Sequence, residues 1–275
     1  MITYSTSSFS TPARSSAARI TIEPSSVASL SASEPPSFPN GVRTAETITE
    51  RAMVRAYQYA SAVPSARSTV KRHPERGAYE RDVIDSILDE ALVCHVGFAI
   101  NGQPFVIPTI HARDGDVLYL HGSPGSRMLR NLRNGVDACV TVTLLDGLVL
   151  ARSVYNHSMN YRSVVVIGRA REVTDREEKL RAMRCVVEHI VPGRWEDARQ
   201  PSEKEIKATT ILALPLTEAS AKIRTGPAAD DEDDLDLPVW AGVIPLALQS
   251  SEPLPEEGVI DSPPGYVSDY ERRRA

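Results

Sequence analysis

The sequence has few of the features that mark disulfide, metal or membrane proteins. Its only cysteines, Cys94, Cys139 and Cys185, lie far apart with no CxxC pair. An odd number of scattered thiols reads as reduced cysteine in an intracellular, cytoplasmic protein, and metal-ligand spacing is absent as well. No apolar run approaches the ~20 residues needed to span a bilayer. Basic charge is not in excess, since 31 Lys and Arg face 36 Asp and Glu for a net charge of -5. That balance argues against nucleic-acid and membrane-surface partners, both of which need clustered basic surface. No Gly-x-Gly-x-x-Gly, Gly-x-Ser-x-Gly or His-Glu-x-x-His pattern occurs, which removes Rossmann, α/β-hydrolase and zincin readings.

What is present suits a globular domain between two tails. Hydrophobic residues make up 41% and charged residues 24% of the chain, enough for one buried core. Residues 1–66 read as a disordered or weakly helical extension. Up to about Asn40 they are rich in Ser, Thr, Ala and Pro, and they cannot bury enough surface to offset ordering entropy. Arg14 and Arg19 precede the first acid, Glu23, in the manner of a mitochondrial transit peptide, with a plain extension as the alternative. A weak helix is expected over Thr44 to Ala62. The globular unit spans residues 67–248, and residues 249–275 form a Pro- and acid-rich disordered tail.

Within the core, Tyr79 to Glu90 has helical spacing through Val83, Ile84, Ile87 and Leu88. Strands follow over Leu92 to Ile100, Gln103 to Ala112 and Val117 to Gly122. The turns between them are Asn101-Gly102, the strongest two-residue hairpin signal, and Asp114-Gly115. A short helix is expected from Ser126 to Arg133. Two strands, Asp137 to Leu144 and Leu148 to Ser153, should then turn at Asp146-Gly147. Ser163 to Val173 is β-branched and reads as another strand. Thr174 to Glu177 forms a capping box for a helix with Leu180, Met183, Val187 and Ile190 on one face. Thr210 to Leu216 is a last strand. Six or seven short antiparallel strands with only a few helices suggest a mainly β (α+β) fold built as a small barrel.

The hairpin turns set the faces. A two-residue loop at Asn101-Gly102 places Phe98 opposite Phe105, Val96 opposite Ile107 and Cys94 opposite Thr109, and opposed residues share a face. With Leu118 and Leu120, this set forms the core side. The other side collects His95, Gly97, Ala99, Val106, Pro108, Ile110, Tyr119 and His121. It is apolar but shallow, so a planar cofactor, a partner subunit or the protein's own helices should cover it. Directly after it come Ser123, Gly125, Ser126 and Arg127 at a helix start. Hydroxyls, a guanidinium and unpaired N–H groups there suit a phosphate, although the same residues also make a good turn and N-cap.

These residues resemble the pyridoxamine 5'-phosphate oxidase superfamily, most closely its flavin-nucleotide-binding, nitroimidazole-resistance-like branch. The carriers are LVCHVGFAINGQPFVIPTIHARDGDVLYLHGSPGSRML, NYRSVVVIGRAREVTD and KIRTGPAADDEDDLDLPVWAGVIPL. The resemblance implies a six-stranded antiparallel split β-barrel with a few flanking helices that binds FMN at a homodimer interface. It places Val106, Ile107, Pro108, Thr109 and Ile110 along the flavin, and His121, Ser126 and Arg127 near its phosphate. Ser163 would reach across from the neighbouring subunit, and Trp240 would border the isoalloxazine. The Lys that often follows the Ser-Arg pair is Met128 here. Leu246 and Leu248 stand where the vitamin-B6 oxidases carry an arginine and a histidine for the substrate, so true pyridoxamine phosphate oxidase activity is not expected.

Other features have local readings. The acidic run at 230–234 reads as a solvated loop that fits no oxygen cage for a cation. Lys222, Arg224 and Gly226-Pro227 are either an anion clamp or a strand end, and His157 lies in a polar loop. A flavin carries its own redox chemistry, so few side chains need be catalytic, and His121 is the one candidate. The expected function is an FMN-dependent oxidoreductase acting on a small planar or nitroaromatic substrate, with a deazaflavin as a variant cofactor. The alternatives are a flavin-binding or sensing protein without turnover, and a haem-binding split barrel with His121 or His95 on the iron.

Overall fold

The computed structural model describes residues 64–259 and 261–271. The extension, the helix expected over Thr44 to Ala62 and the transit-like segment therefore lie outside the described residues. The main elements in chain order are β1 (Gly77–Ala78), α1 (Arg81–Glu90), β2 (Val93–Ile100), β3 (Gln103–Asp114), β4 (Val117–Gly122) and α2 (Arg127–Arg133). They continue with β5 (Ala138–Leu150), β6 (Ser158–Gly168), β7 (Arg171–Glu172), α3 (Arg176–Ile190), α4 (Arg194–Asp197) and α5 (Glu203–Ala208). The last are β8 (Thr210–Pro215), β9 (Ala219–Arg224), β10 (Gly242–Pro245) and α6 (Gly265–Ser268).

The β2–β3 hairpin forms because Asn101 and Gly102 both take positive φ, 49° and 81°, as a two-residue turn between right-twisted strands requires. Its register pairs Val96 with Ile107, Phe98 with Phe105 and Cys94 with Thr109, as the loop length predicts. The next turn is one residue later than expected. Asp114 pairs with Val117, so Gly115 and Asp116 make the turn, with Gly115 at φ 54°. The pairing moves by two residues, which keeps every side chain on its face. Leu118 and Leu120 therefore join Cys94, Val96 and Phe98 in the core.

The sheet is antiparallel throughout, in the order β1-β9-β6-β5-β2-β3-β4-β8-β7, with β10 paired to β5. It has ten strands rather than six, and its two ends do not pair, so the barrel is not closed. Three strands lie beyond those expected. β1 with two residues and β10 with four are too short to show a period of two, and the six-residue β9 opens on the small residues Ala219, Ser220 and Ala221. β7 is a separate piece of the strand expected over Ser163 to Val173. β3 holds the two arms together, pairing with β2 up to Ile110 and with β4 from His111 onward. Leu212 and Leu214 of one arm and Val140 and Val164 of the other still meet in a single core.

Three local expectations are corrected. Asp146-Gly147 is no turn. β5 runs straight through it with a bulge between Leu145 and Gly147, because β10 lies alongside as a further partner. A Cβ on Gly147 would come within 2.9 Å of Val243 Cγ1 and 3.1 Å of the Ile244 carbonyl, so glycine here serves close strand approach. The cap of α3 is Asp175, whose carboxylate accepts from Glu178 N at 2.8 Å, one residue beyond the expected Thr174. Finally, α3 buries Ala182 and Val186, so the stripe through Met183 and Val187 is turned away from the deepest contact.

We expect Leu120→Ala to cost about 2–5 kcal/mol, as truncation of a fully buried leucine does. Denaturant unfolding of the variant measures this. A loss below ~1 kcal/mol would mean that the two arms do not share a core.

Candidate functional site

The outer face of the β2–β3 hairpin has the shallow apolar character expected of it. Val106 is 67% and Ile110 36% exposed, and Pro108 between them is exposed too. Their neighbours Ile107 and Thr109 point to the core side, so only their backbone can meet a ligand lying on this face. Across the ladder, Gly97 faces Val106 and pairs on its other edge with Cys139. A Cβ at Gly97 would lie 3.3 Å from the Cys139 carbonyl, so glycine keeps a shallow floor there.

The phosphate candidates stand at one margin of this row. Ser126 caps α2, its hydroxyl accepting from Leu129 N at 3.4 Å. Arg127 is exposed and lies over the Phe105 ring, its guanidinium carbon 5.0 Å from the centroid. Phe105 stacks in turn on Phe98 at 5.5 Å. The cation–π contact fixes the arginine on Phe105, whose ring turns to the face opposite Val106, and no described residue accepts a hydrogen bond from its guanidinium, which leaves the fork for an anion.

Ser163 and Trp240 are not brought to this place within one chain. Ser163 lies on β6, two strands beyond β2, and donates to the Lys222 carbonyl at 3.1 Å. Trp240 is 66% exposed and covers Gly242, which pairs with Leu150 at the far end of β5. Leu150 is eleven residues from Cys139, roughly 35 Å at the usual strand rise. Leu246 and Leu248 line a groove with Thr143, Leu145 and the Glu90–Arg162–Asp146 ion cluster. The anion-clamp reading of Lys222 and Arg224 is not supported. Arg224 is buried against Asn160 Oδ1 and the Pro227 carbonyl, and Lys222 donates to the Arg72 carbonyl.

The outer face is divided between two environments. Tyr119, expected on the open side, is 3% exposed, because α3 packs over this part and makes a second small core with Ala182, Ile211 and Ala213. Burial, followed by the nearby Glu178 carboxylate, pushes the Tyr119 hydroxyl up to about 12. His121 lies at the edge of this covered zone, in a cleft of about 330 Å³ between β4, β8 and helices α3 to α5. Met183, Val187, Trp195 and Ile211 form its apolar wall, with Arg199, Gln200 and Glu205 also lining it. No described residue hydrogen-bonds to either ring nitrogen of His121, and its Nδ1 is fully buried. Burial lowers its pKa below the usual histidine value, so the ring is neutral at pH 7. His95, in contrast, is exposed on the open part of the face. Sequence reasoning missed the cleft. Its one visible signal was Trp195, one of only two tryptophans, set just beyond Pro192-Gly193.

Comparison with known proteins now decides the family. The sequence pattern described as pyridoxamine 5'-phosphate oxidase matches residues 80–223. The chain belongs to the pyridoxamine 5'-phosphate oxidase-like family of flavin-binding split barrels. Two solved structures resemble it over most of their length. The flavocytochrome Anf3 from Azotobacter vinelandii is 43% identical with a TM-score of 0.71, over 76% of this chain and 98% of its own. The FAD and haem binding protein from Mycobacterium smegmatis is 34% identical with a TM-score of 0.66, over 69% of this chain and 94% of its own. No curated protein matches the chain. Among the described residues no helix is long and apolar enough to cross a membrane, and no cluster of ligating side chains could hold a metal ion.

The cysteines offer a check on the faces. Burial pushes Cys94 up to about 12 and Cys185 to about 11, whereas Cys139 is exposed beside Gly97. The thiolate is the reactive form, so iodoacetamide at pH 8 should label Cys139 first and Cys94 last. Peptide mass spectrometry over a time course reads the order, and early labelling of Cys94 would contradict the hairpin register.

Proposed function

We propose that this protein is a flavin-dependent oxidoreductase that works as a homodimer. The flavin nucleotide, FMN or FAD, lies along Val106 to Ile110 with its phosphate on Ser126 and Arg127. The observation that carries this reading is the exposed apolar row beside Gly97, ending at an arginine whose guanidinium is free for an anion. The residues fit the group, since a flat ring needs a shallow apolar bed and a phosphate needs charge-assisted donors. When bound, the flavin supplies hydride and single-electron transfer, and the chain contributes binding, orientation and exclusion of water. The substrate is a small planar or nitroaromatic compound. Leu246 and Leu248 offer no cation to a phosphorylated B6 vitamer.

A second reading joins a haem to the flavin. One solved relative is a flavocytochrome and the other an FAD and haem binding protein, and this chain has in His121 an imidazole with no hydrogen-bond partner among the described residues.

The phosphate assignment predicts that FMN binds at low micromolar affinity or better and riboflavin far more weakly. Hydrogen bonds to a charged group are worth about 1.5–3 kcal/mol, so Arg127→Ala should weaken FMN roughly 10- to 100-fold. Fluorescence titration of both flavins tests this, and equal affinity for the two would remove the site.

The exposed Val106, Ile110, Leu145, Trp240, Ile244 and Leu248 support the dimer, since large apolar side chains gathered on a surface mark an interface. Light scattering of the flavin-loaded protein should give twice the chain mass of 30.0 kDa. A clean monomer at micromolar concentration would sink the reading.

A further inference from the structure

The sequence has six histidines, and the structure separates them by what their rings do. His111 Nε2 lies 3.0 Å from the Leu88 carbonyl and His189 Nε2 lies 2.8 Å from that of Ala91. His157 Nδ1 is 2.9 Å from the Ser153 carbonyl, and His73 pairs with Glu75 at 3.0 Å. His95 is exposed on the open hairpin face. His121 alone combines a ring without hydrogen bonds and an apolar cleft in front of it.

We propose that this cleft is a haem site, with the imidazole of His121 as the axial ligand of the iron. The inference rests on the reading that joins a haem to the flavin, and it assigns the place. A porphyrin needs apolar walls on its faces, a neutral imidazole for the iron, and polar surroundings for its propionates. Met183, Val186, Val187, Trp195 and Ile211 supply the walls, and Gln200 with the Arg199–Glu205 ion pair, closed at 2.7 Å, makes a polar rim. No described residue engages the His121 ring by a hydrogen bond, so no protein partner competes with a metal for its nitrogens.

The wall is built to hold its shape. Glu188 of α3 accepts from Gly193 N at 2.8 Å and Trp195 N at 2.9 Å, which fixes α4 against α3. Gln200 donates to the Trp195 carbonyl at 2.8 Å, tying on the segment that leads to α5. The position also suits electron exchange with the flavin. The β3–β4 ladder stops at His111–Leu120, so Ile110, the last residue of the flavin row, and His121 flank the opening between the two arms.

The test is titration of the purified full-length chain with hemin, read by its absorption and electron paramagnetic resonance spectra. The wild-type protein should bind one hemin per chain with a histidine-ligated Soret band and quench Trp195 fluorescence. His121→Ala should bind hemin at least tenfold more weakly, lose the histidine-type spectrum, and regain it when imidazole is added. His121→Gln replaces it should the alanine variant fail to retain flavin. His95→Ala should leave the spectrum unchanged, and Trp195→Phe should remove most of the quenching. A wild-type spectrum in both His121 variants would overturn the site while leaving the haem reading intact. Wild-type protein that holds flavin but yields no Soret band with hemin would overturn both.

Discussion

The register of one hairpin governs the rest of this structure. Asn101 and Gly102 at positive φ allow only a two-residue connection, and that connection fixes every pair from Val93–Ile110 to Ile100–Gln103. Side chains alternate with a period of two, so a slip of one residue would exchange core and surface along both strands. With the register set, Cys94, Val96 and Phe98 go inward and His95, Gly97 and Ala99 go outward. The outward set is too small and apolar for a solvated surface, yet Gly97 cannot be larger without crowding Cys139. A bed for a flat ligand is thus a consequence of the same constraint that builds the core.

The second determinant is how α3 divides that outer face. It packs over the part carrying Ala112 and Tyr119 and stops short of Val106 and Pro108. Its own deepest contacts are small residues, Ala182 and Val186, which lets the helix sit close while Met183 and Val187 turn toward the cleft. Gly193, at φ 90°, ends this layer with a reversal that swings Trp195 back over the opening. The tail reinforces it. Tyr266 packs against Gly193 and accepts a hydrogen bond from Arg194 at 2.9 Å, and Tyr270 donates to the Ile190 carbonyl at 2.8 Å. One face of one sheet so acquires an open bed and a walled cleft, separated by the point where β3 changes partner.

What the sequence revealed follows from where the physics is local. The hairpin, its register, the core set and the cap of α2 at Ser126 all depend on residues within a few positions of one another, and all were legible. The family was legible too, through the order of three segments. Lost were features set by distant partners. Nothing near Asp146-Gly147 announces that β10, about a hundred residues later, will lie against it and keep the strand straight. The Met183–Val187 stripe reads as core in isolation, and only the packed sheet shows which neighbouring stripe goes deeper. The cleft draws on β4, α3, α4, α5 and β8, so no window of sequence contains it. Tyr119 and His121 share a strand face, yet one is core and the other borders a cavity, a distinction that lies wholly in the helix above them.

The positions of Trp240 and Ser163 argue for symmetry rather than against the site. Within one chain Arg127, over Phe105, and Trp240, beside Gly242, stand toward opposite ends of β5. A two-fold dimer is isologous, so each patch on one copy meets a different patch on the other and the contact is repeated. A surface with its phosphate end at one margin and its aromatic end at the other completes two equivalent sites when it meets itself in this way. In the proposed dimer neither copy alone would complete one. That arrangement gives exposed Trp240 and the apolar row around Val106 a common explanation. It also accounts for Leu246 and Leu248 where the vitamin-B6 oxidases place cations, since these leucines then serve an apolar interface rather than a charged substrate.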